Sequence, residues 1–192
     1  MATYPVRTRR WTRKEYDRLI ELGVLHEDER IELLGGQMIV AEPKGSPHAT
    51  AIALAAEAFR LAFGAGWLVW LQDPVALDDE SEPEPDVVVV SGGPRDYRAE
   101  HPSRTALLVE VSESILAFDR RYKVSLYARA GVADYWIVNL VDRVVEIHRA
   151  PVADPAARFG WRYQDVQTFR EGASISPPTR PGVTIAVSEL LP

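Results

Sequence analysis

Pro85-Asp86 opens the apolar run Val87-Val88-Val89-Val90, and Glu110 stands inside a second run, Leu107-Leu108-Val109-Glu110-Val111, with Lys123 thirteen positions further on. An acid at the entry of one strand, an acid within another and a lysine nearby can hold a divalent cation and polarise a phosphate. A buried carboxylate costs several kcal/mol unless charge or hydrogen bonds compensate it, and a bound cation is one compensation. Each residue also has a plainer reading. Asp86 can be a turn residue after proline, Glu110 can face solvent from an edge strand, and Lys123 can form a helical ion pair with Asp119 four residues earlier.

The elements that must position these side chains are legible in period and punctuation. Thr12-Arg13-Lys14-Glu15 has capping-box spacing, Trp11 can staple the first turn, and Gly23 stops a helix predicted near 12–22. Arg30–Leu34 and Gln37–Val40 flank Gly35-Gly36, which predicts a tight hairpin with Glu32 in its first strand. Ser46 as cap and Pro47 at the first helical position introduce an alanine-rich helix to about Phe63. Short β runs follow at 67–71, more weakly at 75–77, and at 86–90 and 106–111, with a polar loop over 91–105. Unbroken apolar strands imply burial on both faces, as in a central sheet covered by helices. A helix over 118–130 then supplies the crossover between parallel strands 107–111 and 135–140, and a strand over 144–148 returns after a turn at Val141-Asp142. Further β runs are read near 162–170 and 184–187. Trp67, Trp70 and Trp136 lie in apolar strands, so core packing rather than base stacking is expected of them.

Composition narrows the function classes. The 192 residues suit one domain, 46% hydrophobic and 26% charged content is that of a globular protein, and there is no cysteine, so any metal is held by oxygen or imidazole. With no apolar stretch of about 18 residues and no secretory signal, no membrane partner and a cytoplasmic location are expected. The net charge of −6 argues against a general polyanion-binding coat. Locally, Arg7, Arg9, Arg10, Arg13, Lys14 and Arg18 form a basic group, and Arg120, Arg121 and Lys123 form another. Asp78, Asp79, Glu80, Glu82, Glu84 and Asp86 form an acidic stretch, read as a solvated loop of which Asp86 alone looks placed for metal.

The series Asp86, Glu110-Val111-Ser112, Lys123, with Glu32 in Glu-Leu-x-Gly-Gly and the run Lys123-x-x-x-Tyr127-x-x-x-Gly131-Val132-x-x-Tyr135-Trp136-Ile137-Val138, resembles the bacterial Uma2 family. That family belongs to the PD-(D/E)xK restriction-endonuclease-like superfamily. The resemblance covers roughly residues 12–150 and implies an α/β fold with a mixed central β-sheet flanked by α-helices. It matches Asp86 and Glu110 to the motif acids, suggests Glu32 as an added acid or water-orienting group, and places His48 where the family commonly has a histidine. The chain departs from the written motif because Ser112 stands where lysine is expected, and Lys123 on the following helix is read as the displaced lysine.

The expected chemistry is phosphodiester hydrolysis in DNA with Mg²⁺ or Mn²⁺ held by Asp86 and Glu110, with a backbone carbonyl from Val111. Lys123 is expected to orient or deprotonate the attacking water or to steady phosphate charge, and Gln72 to complete the polar rim. Two other classes stay open: a non-catalytic nucleic-acid or protein-binding module, and a metal-dependent hydrolase of a small phosphorylated substrate. A homodimer is expected by analogy with enzymes that cut both strands.

Overall fold

The computed structural model describes residues 8–26, 29–41 and 43–192; Arg7 of the N-terminal basic group lies outside them. Helix α1 (Arg13–Glu21) begins as read: Thr12 caps it and forms the capping box with Glu15. Strands β1 (Ile31–Leu34) and β2 (Gln37–Val40) form the hairpin, with Gly35 at φ +56° and Gly36 at φ +76° making the turn. Helix α2 (Ser46–Phe63) has Gly45, not Ser46, as its N-cap, and no side chain caps it. Ser46 is already the first helical residue, and its carbonyl accepts from the Thr50 hydroxyl at 2.9 Å.

A six-stranded sheet forms the centre: β3 (Trp67–Trp70), β4 (Val87–Ser91), β5 (Leu107–Ser112), β6 (Asp134–Asn139), β7 (Val144–Ala153) and β8 (Trp161–Arg170), adjacent in that order. The sheet is mixed. β5 and β6 run parallel, as the crossover requires, and the other neighbours are antiparallel. The crossover runs α3 (Leu116–Phe118), a π-helical turn at Asp119–Lys123 and α4 (Val124–Arg129), so it starts two residues earlier than read and is not uniformly α-helical. β9 (Ser174–Ile175) and β10 (Ile185–Ala186) make a small separate pair.

Both sheet faces are covered, which explains the apolar runs. Val87, Val89 and Val109 pack with Ala51, Ala55 and Phe59 of α2 on one face. Val88, Val90 and Leu108 pack with Tyr122, Leu126 and Tyr127 on the other. The two-residue strand period therefore sends Glu110, two positions from Leu108, to the crossover-helix side. Trp136 is fully buried, whereas Trp67 and Trp70 are partly exposed at the edge strand, so core packing holds fully for Trp136 alone.

The weak strand at 75–77 does not form. Val75 donates to Pro83 O and Leu77 to Ser81 O, so the segment folds back on residues 81–85 instead of joining the sheet. Pro83 and Pro85 have no amide to extend a ladder. This return arm also corrects the reading of the acidic stretch as solvated. Ser81 and Glu82 are buried, Asp78 pairs with Arg129 at 2.7 Å, Glu80 with Arg10 at 2.5 Å, and Glu84 with Arg30 at 3.5 Å. The acids fasten the arm to arginines that the sequence places far away.

Candidate active site

Asp86 precedes β4, and Glu110 lies within β5. The register pairs Val87 with Val109 and Val88 with Leu108, so one further step sets Asp86 opposite Glu110. At that step the ladder gives way to a side chain: Val111 N–H donates to Asp86 Oδ2 at 2.8 Å. Both acids are almost fully buried and line one cleft of about 280 Å³ with Glu32, Glu84, Lys44, His48 and Lys123.

Each carboxylate is matched by a lysine. Lys123 Nζ donates to Glu110 Oε1 at 2.8 Å, and the Tyr127 hydroxyl donates to the same oxygen at 2.6 Å. Lys123 stands 4.0 Å from Asp119, so the plain helical ion pair is the weaker of its two contacts. In the π-helical turn, Val124 N–H reaches back to Asp119 O, and such turns recur at functional sites. On Asp86, Lys44 Nζ donates to Oδ1 at 2.5 Å and Gln72 Nε2 to the same oxygen at 3.3 Å. His48 Nε2 lies 3.2 Å from Oδ2, within ion-pair range but without hydrogen-bond geometry.

The residues read from sequence thus gather in one place. Glu32 accepts from Glu84 N–H at 3.3 Å and borders the cleft. Gln72, at φ +51°, reaches the polar rim as expected. His48 and Tyr127 each face one of the two central acids. Val111 also borders the cleft, and its observed contact with Asp86 is through the amide. Ser112 does not reach the two acids: it is fully buried with its Oγ unpartnered, beside Asp119. Asp119 itself is buried with neither carboxylate oxygen hydrogen-bonded. Lys44 was missed. It sits in a loop before a helix, where neither period nor motif marks it.

The electrostatics of the two acids differ in sign. Burial raises the Asp86 carboxyl, but His48 and Lys44 together outweigh burial and hold it well below the usual range. Burial drives Glu110 up to about 8; Lys123 offsets part of this, while Asp86, Asp119 and Glu32 add to it. Lys123 is pulled down by burial yet ends well above the ordinary lysine range, because Glu110, Glu32 and Asp119 prevail. Burial also raises Tyr127 strongly, with Glu110 adding to the effect, so its hydroxyl stays a donor.

The donor chemistry fits a hard divalent cation. Two carboxylates meet across neighbouring strands in a cleft that already draws in two ammonium groups. Among the described residues no three His, Asp or Glu side chains close round a common point. Asp86 and Glu110 are the two carboxylates that would hold such an ion, with water completing the shell, as magnesium tolerates. Also among the described residues, no helix is long and apolar enough to cross a membrane.

Comparison with known proteins bears on the fold and the family. A crystal structure from Anabaena variabilis ATCC 29413, titled as "a putative nuclease belonging to DUF820", matches with a TM-score of 0.67. Identity is 16%, over 90% of this chain and 96% of that one, so the likeness carries the restriction-endonuclease-like fold. No curated relative matches the chain. The family model for Uma2, described as "Putative restriction endonuclease", matches residues 13–188. With that match running from α1 through both central acids and the crossover to the last turn of the chain, the protein belongs to the Uma2 family.

Proposed function

We propose that this protein is a metal-dependent endonuclease that hydrolyses DNA phosphodiester bonds with Mg²⁺ or Mn²⁺. The observation that carries the reading is the meeting of Asp86 and Glu110 across adjacent strands in one cleft, with Lys123 bonded to Glu110. A phosphodiester resists attack because it is anionic, so hydrolysis needs positive charge at the phosphate and an oriented water. The cation supplies Lewis-acid polarisation of the phosphate when bound between Asp86 and Glu110. Lys123, kept as an ammonium, donates to and orients the attacking water and steadies developing negative charge. Glu32 borders the same space and orients water there. Tyr127 fixes the rotamer of Glu110, while Gln72 and the Val111 amide fix that of Asp86. Cutting both strands calls for two such sites, and a homodimer belongs to this reading, to be checked by light scattering.

A second reading, hydrolysis of a small phosphorylated substrate, is favoured by one observation. Five carboxylates, those of Glu32, Glu84, Asp86, Glu110 and Glu113, border the cleft, an unwelcoming wall for a polyanion. The deciding experiment incubates supercoiled plasmid and single-stranded DNA with the protein and Mg²⁺ or Mn²⁺, beside Asp86→Asn. Nicking that needs metal and disappears in Asp86→Asn supports the nuclease. Absence of cleavage across metals and pH, with metal still bound, contradicts it and favours the small substrate.

A further inference from the structure

Lys44 is a charged cleft residue to which the nuclease chemistry gives no part. It comes from the segment between β2 and α2, and its ammonium lies 2.5 Å from Asp86 Oδ1. The side chain is 22% exposed against 3% for Asp86, so it enters the carboxylate from the cleft mouth. Lys123 differs in both respects: it is 6% exposed and held by the crossover helix. A lysine on a long flexible stem, rooted in a loop rather than a helix or strand, can withdraw without disturbing the sheet.

Its contact atom matters. Oδ2 of Asp86 is committed to the Val111 amide, and Oδ1 takes the Lys44 ammonium together with the Gln72 amide. A divalent cation using Asp86 would meet the ammonium at Oδ1. Two positive groups on one oxygen in a buried cleft repel strongly, which favours departure of the more exposed, loop-borne Lys44.

We infer that Lys44 is a resident counter-cation at the Asp86 half of the cation site, one that a divalent ion must displace in order to bind. The inference rests on the metal-dependent reading of the same site. In the free protein Lys44 neutralises a buried carboxylate that would otherwise face Glu110 and Glu32 unprotected. On cation entry the displaced ammonium is left at the mouth of the cleft, where an anionic substrate arrives. Cation binding and the creation of a free positive charge at the entrance are thereby coupled.

The experiment is calorimetric titration of Mn²⁺, then Mg²⁺, into wild type, Lys44→Met and Lys44→Arg, with folding of each variant verified by circular dichroism. Lys44→Met keeps the stem and removes the competitor, and is expected to bind Mn²⁺ at least tenfold more tightly. Lys44→Arg keeps the charge, and its affinity should stay within about threefold of wild type, a shift well under the 1.4 kcal/mol of a tenfold change. Equal or weaker affinity in Lys44→Met, or tightening in Lys44→Arg as large as in Lys44→Met, would overturn the inference while leaving the nuclease reading standing. Tighter binding in Lys44→Met without DNA cleavage by wild type would leave the inference standing and remove the nuclease. No Mn²⁺ or Mg²⁺ binding in any variant would sink both.

Discussion

Replacing Glu110 with glutamine should flatten the pH dependence of stability in the metal-free protein, while lowering stability overall because buried Lys123 loses its counter-charge. Glu110 Oε1 accepts from both Lys123 and Tyr127, and a glutamine carbonyl oxygen can accept from both donors in the same place. What the substitution removes is a carboxylate whose burial lifts it from 4.5 in the unfolded chain to about 8. Between those values the folded state holds a proton that the unfolded state has released, so stability is greatest below about pH 4.5 and falls as pH rises towards 8. At pH 7 the interval is about 2.5 pH units, which at 1.36 kcal/mol each amounts to roughly 3 kcal/mol. Urea unfolding followed by tryptophan fluorescence in EDTA, at pH 5, 6, 7 and 8, gives the comparison. Wild type should lose about 3 kcal/mol more than Glu110→Gln across that range. Glu82, which burial lifts to about 7, slopes the same way but is present in both proteins and cancels. Parallel pH curves for the two proteins would contradict this.

Further outcomes follow from neighbouring groups. Tyr127→Phe removes one of the two donors to Glu110 and should cost about 1–3 kcal/mol in the same unfolding assay; no change would mean that the hydrogen bond does not form. His148 is buried between Tyr135 and Tyr163, and burial lowers it from 6.5 to about 4. Its contribution is present above pH 6.5 and lost as pH falls towards 4, so His148→Leu should flatten the acid limb of the stability profile, and an unchanged limb would contradict this. Gly35 holds φ +56°, and a Cβ there would lie 2.5 Å from Phe159 Cε1, so Gly35→Ala should lower stability by about 1–3 kcal/mol in a thermal melt. An unaltered melting temperature would show that the hairpin relaxes freely.

The parts of the site that were legible in sequence are those governed by short-range rules. Unbroken apolar runs marked the central strands, and an acid interrupting such a run stood out because burial makes it costly. Gly35-Gly36 marked the hairpin that carries Glu32, and the helical stretch between two strands marked the parallel crossover that carries Lys123 and Tyr127. What escaped was decided by tertiary approach. The acidic stretch reads as solvated until Arg10, Arg30 and Arg129 arrive from three other parts of the chain. The segment at 75–77 looks like a strand, yet it bonds to Ser81 and Pro83 of its return arm and to Pro102 and does not join the sheet. Lys44 has no period, and its partner lies 42 residues away. Helical spacing made Asp119 a plausible partner for Lys123; the π-helical turn and the sheet together gave the shorter contact to Glu110.

The most direct test of the account is a crystal of the protein grown or soaked with Mn²⁺ and measured at a wavelength where manganese scatters anomalously. The account predicts one anomalous peak between the Asp86 and Glu110 carboxylates, with the Lys44 ammonium no longer on Asp86 Oδ1. A peak elsewhere, or none at millimolar Mn²⁺ with Lys44 still bound to Asp86, would contradict it.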